Sequence, residues 1–374
     1  MKHKLAASLA IAAASAMLVA GCSTGGEAPT TTPTDTTAPP RETVELTVAT
    51  TAATFGIKED VAIYAVGIQM GYYEEEGIKL NLVNADGSGT ALQAVAAGSA
   101  DISTPDAGTI LASVEKGLPV AAIGGLVQNW PWRIAVPKDS PIKSGADLKG
   151  KKIGVISLAS GSAPYARAFV DGNGLNPETD VTLLPVGIGA QAAGALSSGE
   201  VDALALFTTE YVAIEQGGIS YDYLDNPASM KGLRSLTFIT SKDKLAKDKD
   251  VFERFLRASY KALVFSYTNP KAAVEMGFKQ YPQLSPNAKI EADIATIKDW
   301  ISTATPVGVT DMSTVKNWGE IPAADWDVTQ KFSMGAGQIK APIDVSKFWD
   351  PSLLKEANNF DAAAVKKAAE DFKG

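Results

Sequence analysis

The sequence predicts an α/β fold built as two similar lobes, followed by a helical C-terminal part. Three observations predict it. Strand-like and helix-like segments alternate from about Val44 onward, the pattern of a largely parallel sheet covered by helices. The stretch "LQAVAAGSADIST" is echoed by "AAGALSSGEVDALAL", each an Ala-rich helix, a glycine, an acidic turn and a strand. After the strand-like "LRSLTFIT", helical periodicity dominates to the end of the chain.

In order, "VELTVAT" alternates as a strand does and "VAIYAVGIQMG" reads as a helix that "GYYEEEG" ends. "IKLNLV" is a strand by period two, and Asp86-Gly87-Ser88-Gly89-Thr90 leads into the helix "ALQAVAAG". "ADISTPD" is a short strand with a polar end, followed by the helix "GTILASVEKG" and the buried strand "LPVAAIGGLV". The pattern then repeats: strands "WRIAVPKDS" and "KKIGVI", the loop "SLASGSA", the helix "PYARAFVDGNG", the strand "DVTLLPV", the loop and helix "GIGAQAAGALSSG", and the strand "EVDALALFTTE". In "KDVFERFLRASYKALVFSYT", Val251, Phe252, Phe255, Leu256, Tyr260, Leu263, Val264 and Tyr267 recur at three and four, and Asn269-Pro270 stops that helix. Later helices surround "KAAVEMGFKQYP", "PNAKIEADIATIKDWIS" and "DAAAVKKAAEDFKG", and the Trp318 and Trp326 region should pack on the first lobe.

The N-terminal end has a different chemistry. Lys2 and Lys4 precede an apolar run from Leu5 to Ala20, which is too short to span a bilayer comfortably. Leu18-Val19-Ala20-Gly21-Cys22 closes it, the pattern of a lipoprotein signal cleaved before a lipidated Cys22. Residues 23–43 are rich in Thr and Pro and lack apolar periodicity, so they read as a disordered tether. His3 and Cys22 are the only histidine and cysteine. A mature chain starting at Cys22 would therefore lack imidazole and any second thiol, which excludes most hydrolase chemistry, zinc sites and disulfides. A net charge of −8 argues against nucleic acid or an anionic membrane surface as partner. Contact with the membrane is expected through the lipid anchor alone.

Four segments, "GYYEEEGIKLNLV", "SGTALQAVAAGSADIST", "VPKDSPIKSGADLKGKKIGV" and "ALSSGEVDALALFTTEY", resemble the solute-binding proteins of bacterial ABC importers. The subgroup is the one for nitrate, alkanesulfonates, taurine and thiamine-pyrimidine precursors, and the similarity runs from about Val44 to Tyr267. The resemblance implies a doubly wound type II periplasmic-binding-protein fold with two interlobe crossover segments, near Val127–Ile134 and Leu233–Ile239. Lobe 1 would comprise 44–130 and 235–374, and lobe 2 would comprise 131–234. It also implies an extracytoplasmic monomer without cofactor or metal that hands a small solute to an ABC permease and its ATPase. Eukaryotic relatives that make thiamine pyrimidine use a histidine and a cysteine-rich motif; their absence here points away from an enzyme. A sensor that binds without transport remains the alternative.

Ligands of open α/β sheets bind beyond the carboxyl ends of strands, at helix N-termini. That rule selects Thr51, with Tyr64 near it, Ser88, Thr104 and Asp106 in the first half, and Ser160, Ser162, Gln191 and Glu210 in the second. Asp106 can equally cap its own helix, and Glu210 can be a solvated acid, although the family often has an acid there. Trp130 stands at the first crossover, where it can wall the ligand or pack the hinge. Trp132, Trp300, Trp318, Trp326 and Trp349 are expected in packing roles, and Glu74-Glu75-Glu76 as a solvated helix end. Helix N-termini and serines suit a sulfonate, whereas Asp106 and Glu210 suit an amine or an amino-heterocycle such as a pyrimidine. A buried carboxylate needs a donor, so the balance leans from nitrate toward a heterocyclic or amine-bearing solute. Arg133 and Arg167 are the arginines considered as anion clamps.

Overall fold

The computed structural model describes residues 42–374 other than positions 159 and 288. The signal segment, Cys22 and most of the tether lie outside the described residues. Ten strands form two five-stranded sheets. The first contains β1 (Val44–Thr50), β2 (Ile78–Asn84), β3 (Ile102–Ser103), β4 (Val120–Gly125) and β10 (Thr237–Ser241), in the order β2-β1-β3-β10-β4. The second contains β5 (Trp132–Pro137), β6 (Lys151–Val155), β7 (Val181–Pro185), β8 (Ala203–Phe207) and β9 (Tyr221–Leu224), in the order β7-β6-β8-β5-β9.

Each sheet is mixed rather than wholly parallel, for one reason. The chain enters the second sheet on β5, which runs antiparallel to β8 and β9, and returns to the first on β10, which runs antiparallel to β3 and β4. The remaining pairs are parallel. β10, inside the first sheet, and β4, at its edge, are buried at every position. The helix Lys249–Thr268 lays Phe252, Phe255, Leu256 and Leu263 into the largest core. Asn269 caps the following helix, Pro270–Gln280, by accepting from the Ala272 N–H, which is why the chain turns at Asn-Pro.

The repeated motif is a repeated structure. Asp101 Oδ2 accepts from the Thr47 N–H at 2.7 Å, and the Asp101 N–H returns a bond to Thr47 O. In the second sheet Asp202 does the same to Lys152, with both bonds 2.9 Å long. Gly98 (φ 78) and Gly199 (φ 74) end the preceding helices in the left-handed region, where L side chains are strained. An acid just before β3 thus fixes the register of β1, and one just before β8 fixes that of β6.

Three local expectations are corrected. "VAIYAVGIQMG" opens as a π-helical turn, Asp60–Ala65, before becoming α-helical over Val66–Gln69, and Tyr72–Glu75 forms a further short helix after Gly71. Glu76 is buried and pairs with Arg257 at 2.8 Å, because the neighbouring helix carries the guanidinium to it; it is not a solvated helix end. The C-terminal part packs on both lobes. Trp326 sits in a first-lobe core against Phe348, while Val328 and Phe332 of the same helix, Ala323–Gly335, pack on the second-lobe core.

Asp101→Ala strips the Thr47 N–H of its partner. We expect a loss of about 1–3 kcal/mol in urea unfolding; an unchanged midpoint would show that water replaces the carboxylate without cost.

Candidate functional site

The carboxyl ends of β1, β2 and β3 face those of β6 and β8 across a cleft of about 530 Å³. Its floor is the pair of segments that join the sheets, between β4 and β5 and between β9 and β10. They lie side by side: the N–H groups of Leu126 and Val127 both donate to Leu236 O. Arg234 ties them further, Nη1 donating to Gln128 O at 2.7 Å and to Gln128 Oε1 at 2.6 Å, and Nε donating to Asp325 at 2.8 Å. The end of the helix Ile290–Ala304 braces the first segment, Thr303 O accepting from the N–H groups of Gln128 and Asn129.

On the first-lobe side, Thr51, Ser88 and Asp106 stand at the strand ends as the rule for α/β sheets requires. Asp106 both lines the cleft and caps its helix, accepting from the Thr109 N–H at 2.9 Å and from the Thr109 hydroxyl. Ser88 Oγ accepts from the Asp106 N–H at 3.2 Å. Lys58 and Glu59 complete this wall. Lys58 Nζ lies 2.7 Å from Glu59 and 2.9 Å from Asp60, so two buried carboxylates share one ammonium. Burial lifts Asp60 to about 6 against the pull of Lys58, and Glu59 adds to the rise. Lys58 is itself raised: burial lowers it, but the two acids outweigh that.

On the other side stand Trp130, Trp132, Phe207 and Ser160, with Thr208 and Thr209. Trp132 meets Phe207 edge-on at 5.5 Å. Arg133 is not an anion clamp: its Nη1 donates to the carbonyls of Trp130 and Trp132 and holds that turn. Arg167 pairs with Glu178 away from the cleft. The C-terminal part adds Trp300, Thr303, Thr329, Phe332 and Gln338. Phe332 packs edge-on against Trp130 at 5.3 Å.

Five of the residues selected from the sequence therefore come together on the wall: Thr51, Ser88, Asp106, Trp130 and Ser160. The other five do not line it. Tyr64 and Thr104 are wholly buried, because the π-turn that carries Tyr64 and the chain just after β3 lie inside the first lobe. Ser162 is buried with its hydroxyl donating to Ala205 O at 2.6 Å, pinning its helix to β8. Gln191 is solvent-exposed. Glu210 accepts from the Gly189 N–H at 3.2 Å, holding the start of a neighbouring helix; burial raises its pKa, and that bond opposes the rise.

Trp132 and Trp300, expected in packing, line the cleft instead. Lys58, Glu59 and Arg234 were missed. A Lys-Glu-Asp run directly before an all-apolar helix, and an arginine at the second crossover, were the available signals. Phe332 and Gln338 had none, because they reach the cleft only through the fold of the C-terminal part.

Two mixed α/β sheets joined by two adjacent segments, with a cleft at their carboxyl ends, define the two-lobed periplasmic-binding-protein fold. The chain belongs to the NMT1/THI5 like family, whose model matches residues 39–273. It is 24% identical over 336 residues to the riboflavin-binding protein RibY of Chloroflexus aurantiacus, covering 88% of this chain and 93% of that protein. It is 25% identical over 228 residues to the 4-amino-5-hydroxymethyl-2-methylpyrimidine phosphate synthase of Legionella pneumophila, covering 59% of this chain and 69% of that one. The structure of the periplasmic aliphatic sulphonate binding protein SsuA from Escherichia coli superposes with a TM-score of 0.64 at 19% identity, over 82% of this chain and 92% of that one.

The elevated Asp60 sets a pH signature. In the unfolded chain its carboxyl ionises near its ordinary value; in the folded chain it does so near 6. Its contribution to stability is complete below the lower value and is lost as pH rises through the upper one. We expect Asp60→Asn, compared with wild type by urea midpoints from pH 4 to 7, to gain on wild type as pH rises. A difference independent of pH would contradict the assignment.

Proposed function

We propose that this protein is an extracytoplasmic solute-binding lipoprotein that captures a planar, heterocyclic organic solute between its lobes and delivers it to an ABC permease. Lobe 1 would comprise 44–130 and 235–374 and lobe 2 would comprise 131–234, hinged at the paired crossing segments. The observation that carries the reading is the composition of the cleft. Trp130, Trp132, Phe207, Trp300 and Phe332 surround a volume in the usual range for organic ligands. Aromatic faces of this kind favour a flat π-system.

Charge supports the same choice over an anion. The two cations on the wall are engaged internally, Lys58 by Glu59 and Asp60, and Arg234 by Asp325. A sulfonate would have to compete with carboxylates already in place. The relatives named for riboflavin and for a pyrimidine phosphate accord with a heterocycle. An enzymatic reading, which the synthase relative raises, would have to do without imidazole and thiol chemistry, since the chain beyond Cys22 contains neither histidine nor cysteine. Closing the lobes would expel water and strengthen polar contacts, and reopening would release the solute unchanged.

Tryptophan fluorescence of the chain from residue 42 tests the ligand. Riboflavin or an aminopyrimidine should quench it saturably, taurine and alkanesulfonates should not, and Trp130→Ala should weaken binding by about tenfold. Saturation by sulfonates alone, or turnover of any solute, would overturn the reading. For the anchor, Cys22→Ser should move the protein from the membrane fraction to the soluble fraction of cells. Persistence in the membrane would mean that Cys22 is not the attachment point.

A further inference from the structure

The two sides of the cleft differ in kind. The loops after β1, β2 and β3 contribute Thr51, Ala52, Gly87, Ser88 and Asp106, none of them aromatic. The opposite side contributes Trp130, Trp132, Phe207, Pro131 and Pro164, with Thr208 and Thr209 after β8 as its polar groups besides Ser160. The polar side is completed by Gln338, which lies beyond the segment that the family model matches. Its carboxamide is seated against the first turn of the helix Ala107–Glu115, where a Cβ on residue 108 would fall 2.6 Å from Gln338 Oε1; Gly108 leaves the room. Gln338 Oε1 has no hydrogen-bond partner among the described residues. Rotation about the last side-chain torsion can offer either that oxygen or the two N–H groups. Polar groups at this end therefore come as both donors and acceptors, whereas the hydroxyl of Ser160 on the aromatic side is spent on Ser157 O at 2.8 Å.

We infer that the solute is itself two-ended: a fused aromatic ring system seated against Trp132 and Phe207, and a hydroxylated, uncharged chain reaching the first lobe at Ser88, Asp106 and Gln338. This rests on the reading of the cleft as a heterocycle site and adds the orientation and the second chemical group. The volume is more than a single pyrimidine ring fills, and a chain of hydroxyls matches groups that donate and accept without bringing charge. Gln338 becomes a specificity determinant for the chain and Trp132 one for the ring.

Riboflavin and lumichrome share a ring and differ in the ribityl chain, so the pair separates the two ends. The experiment titrates the full chain in detergent with each, by calorimetry, in wild type, Gln338→Leu, Ser88→Ala and Trp132→Leu, with thermal midpoints as folding controls. Wild type should bind riboflavin about tenfold or more tightly than lumichrome, the scale of one or two neutral hydrogen bonds. Gln338→Leu and Ser88→Ala should each remove about threefold to tenfold from riboflavin affinity and leave lumichrome unchanged. Trp132→Leu should weaken both by the same factor. Equal affinities in wild type, or Gln338→Leu and Ser88→Ala weakening both ligands alike, would overturn the orientation while leaving a heterocycle site standing. Binding of neither ligand by wild type would overturn both.

Discussion

The architecture depends on one guanidinium. Arg234 sits in the second segment joining the sheets, mostly buried, and donates to Gln128 in the first segment and to Asp325 in the C-terminal helix. An arginine removed from water must satisfy its donors or forfeit several kcal/mol. Here Gln128 and Asp325 satisfy them, which joins three distant stretches of chain. The floor of the cleft, the position of Trp130 just beyond Gln128, and the docking of the C-terminal helix all follow from that requirement.

The same logic shapes the cleft wall. Its charges are neutralised from within, so what it offers outward is aromatic surface and neutral polar groups. Lys58 serves two buried acids, and the cost of taking the Asp60 carboxyl out of water, with the charge of Glu59 added to it, appears as the raised Asp60. Each Asp106 carboxylate oxygen likewise accepts one bond from Thr109 at the start of its own helix, which leaves its remaining lone pairs for the cleft. Carboxylates and cations that a sequence displays as candidate ligand contacts can thus be consumed by the fold before any ligand arrives.

The C-terminal part bridges the two lobes. Val328 and Phe332 pack on the second-lobe core, while Trp326, a few residues earlier on the same helix, is buried in the first. Thr303 O also fastens the crossing segment. The lobes are thus joined by more than the two crossing segments.

Much of the fold was legible in the sequence. Periodicity marked most strands and helices, though not β9 or the helices Thr208–Gln216, Lys242–Lys247 and Ala323–Gly335, and the echo between "GSADIST" and "SGEVDAL" reflects an acid that brackets an equivalent strand in each sheet, because Asp101 and Asp202 meet the same backbone geometry. The rule that ligands gather at strand ends picked Thr51, Ser88, Asp106 and Ser160, which the structure brings to one cleft, since the rule depends only on local order. It failed for Ser162, Glu210, Thr104 and Tyr64, where a neighbouring carbonyl, an N–H or the core claimed the side chain. Sequence by itself determined the elements, their alternation and the chemistry available, because those follow from contacts a few residues apart. Tertiary structure alone decided which groups face the cleft, and brought Arg234 to Asp325 and Gln338 to Gly108, because those pairings join residues about 90 to 230 positions apart and no local pattern encodes them.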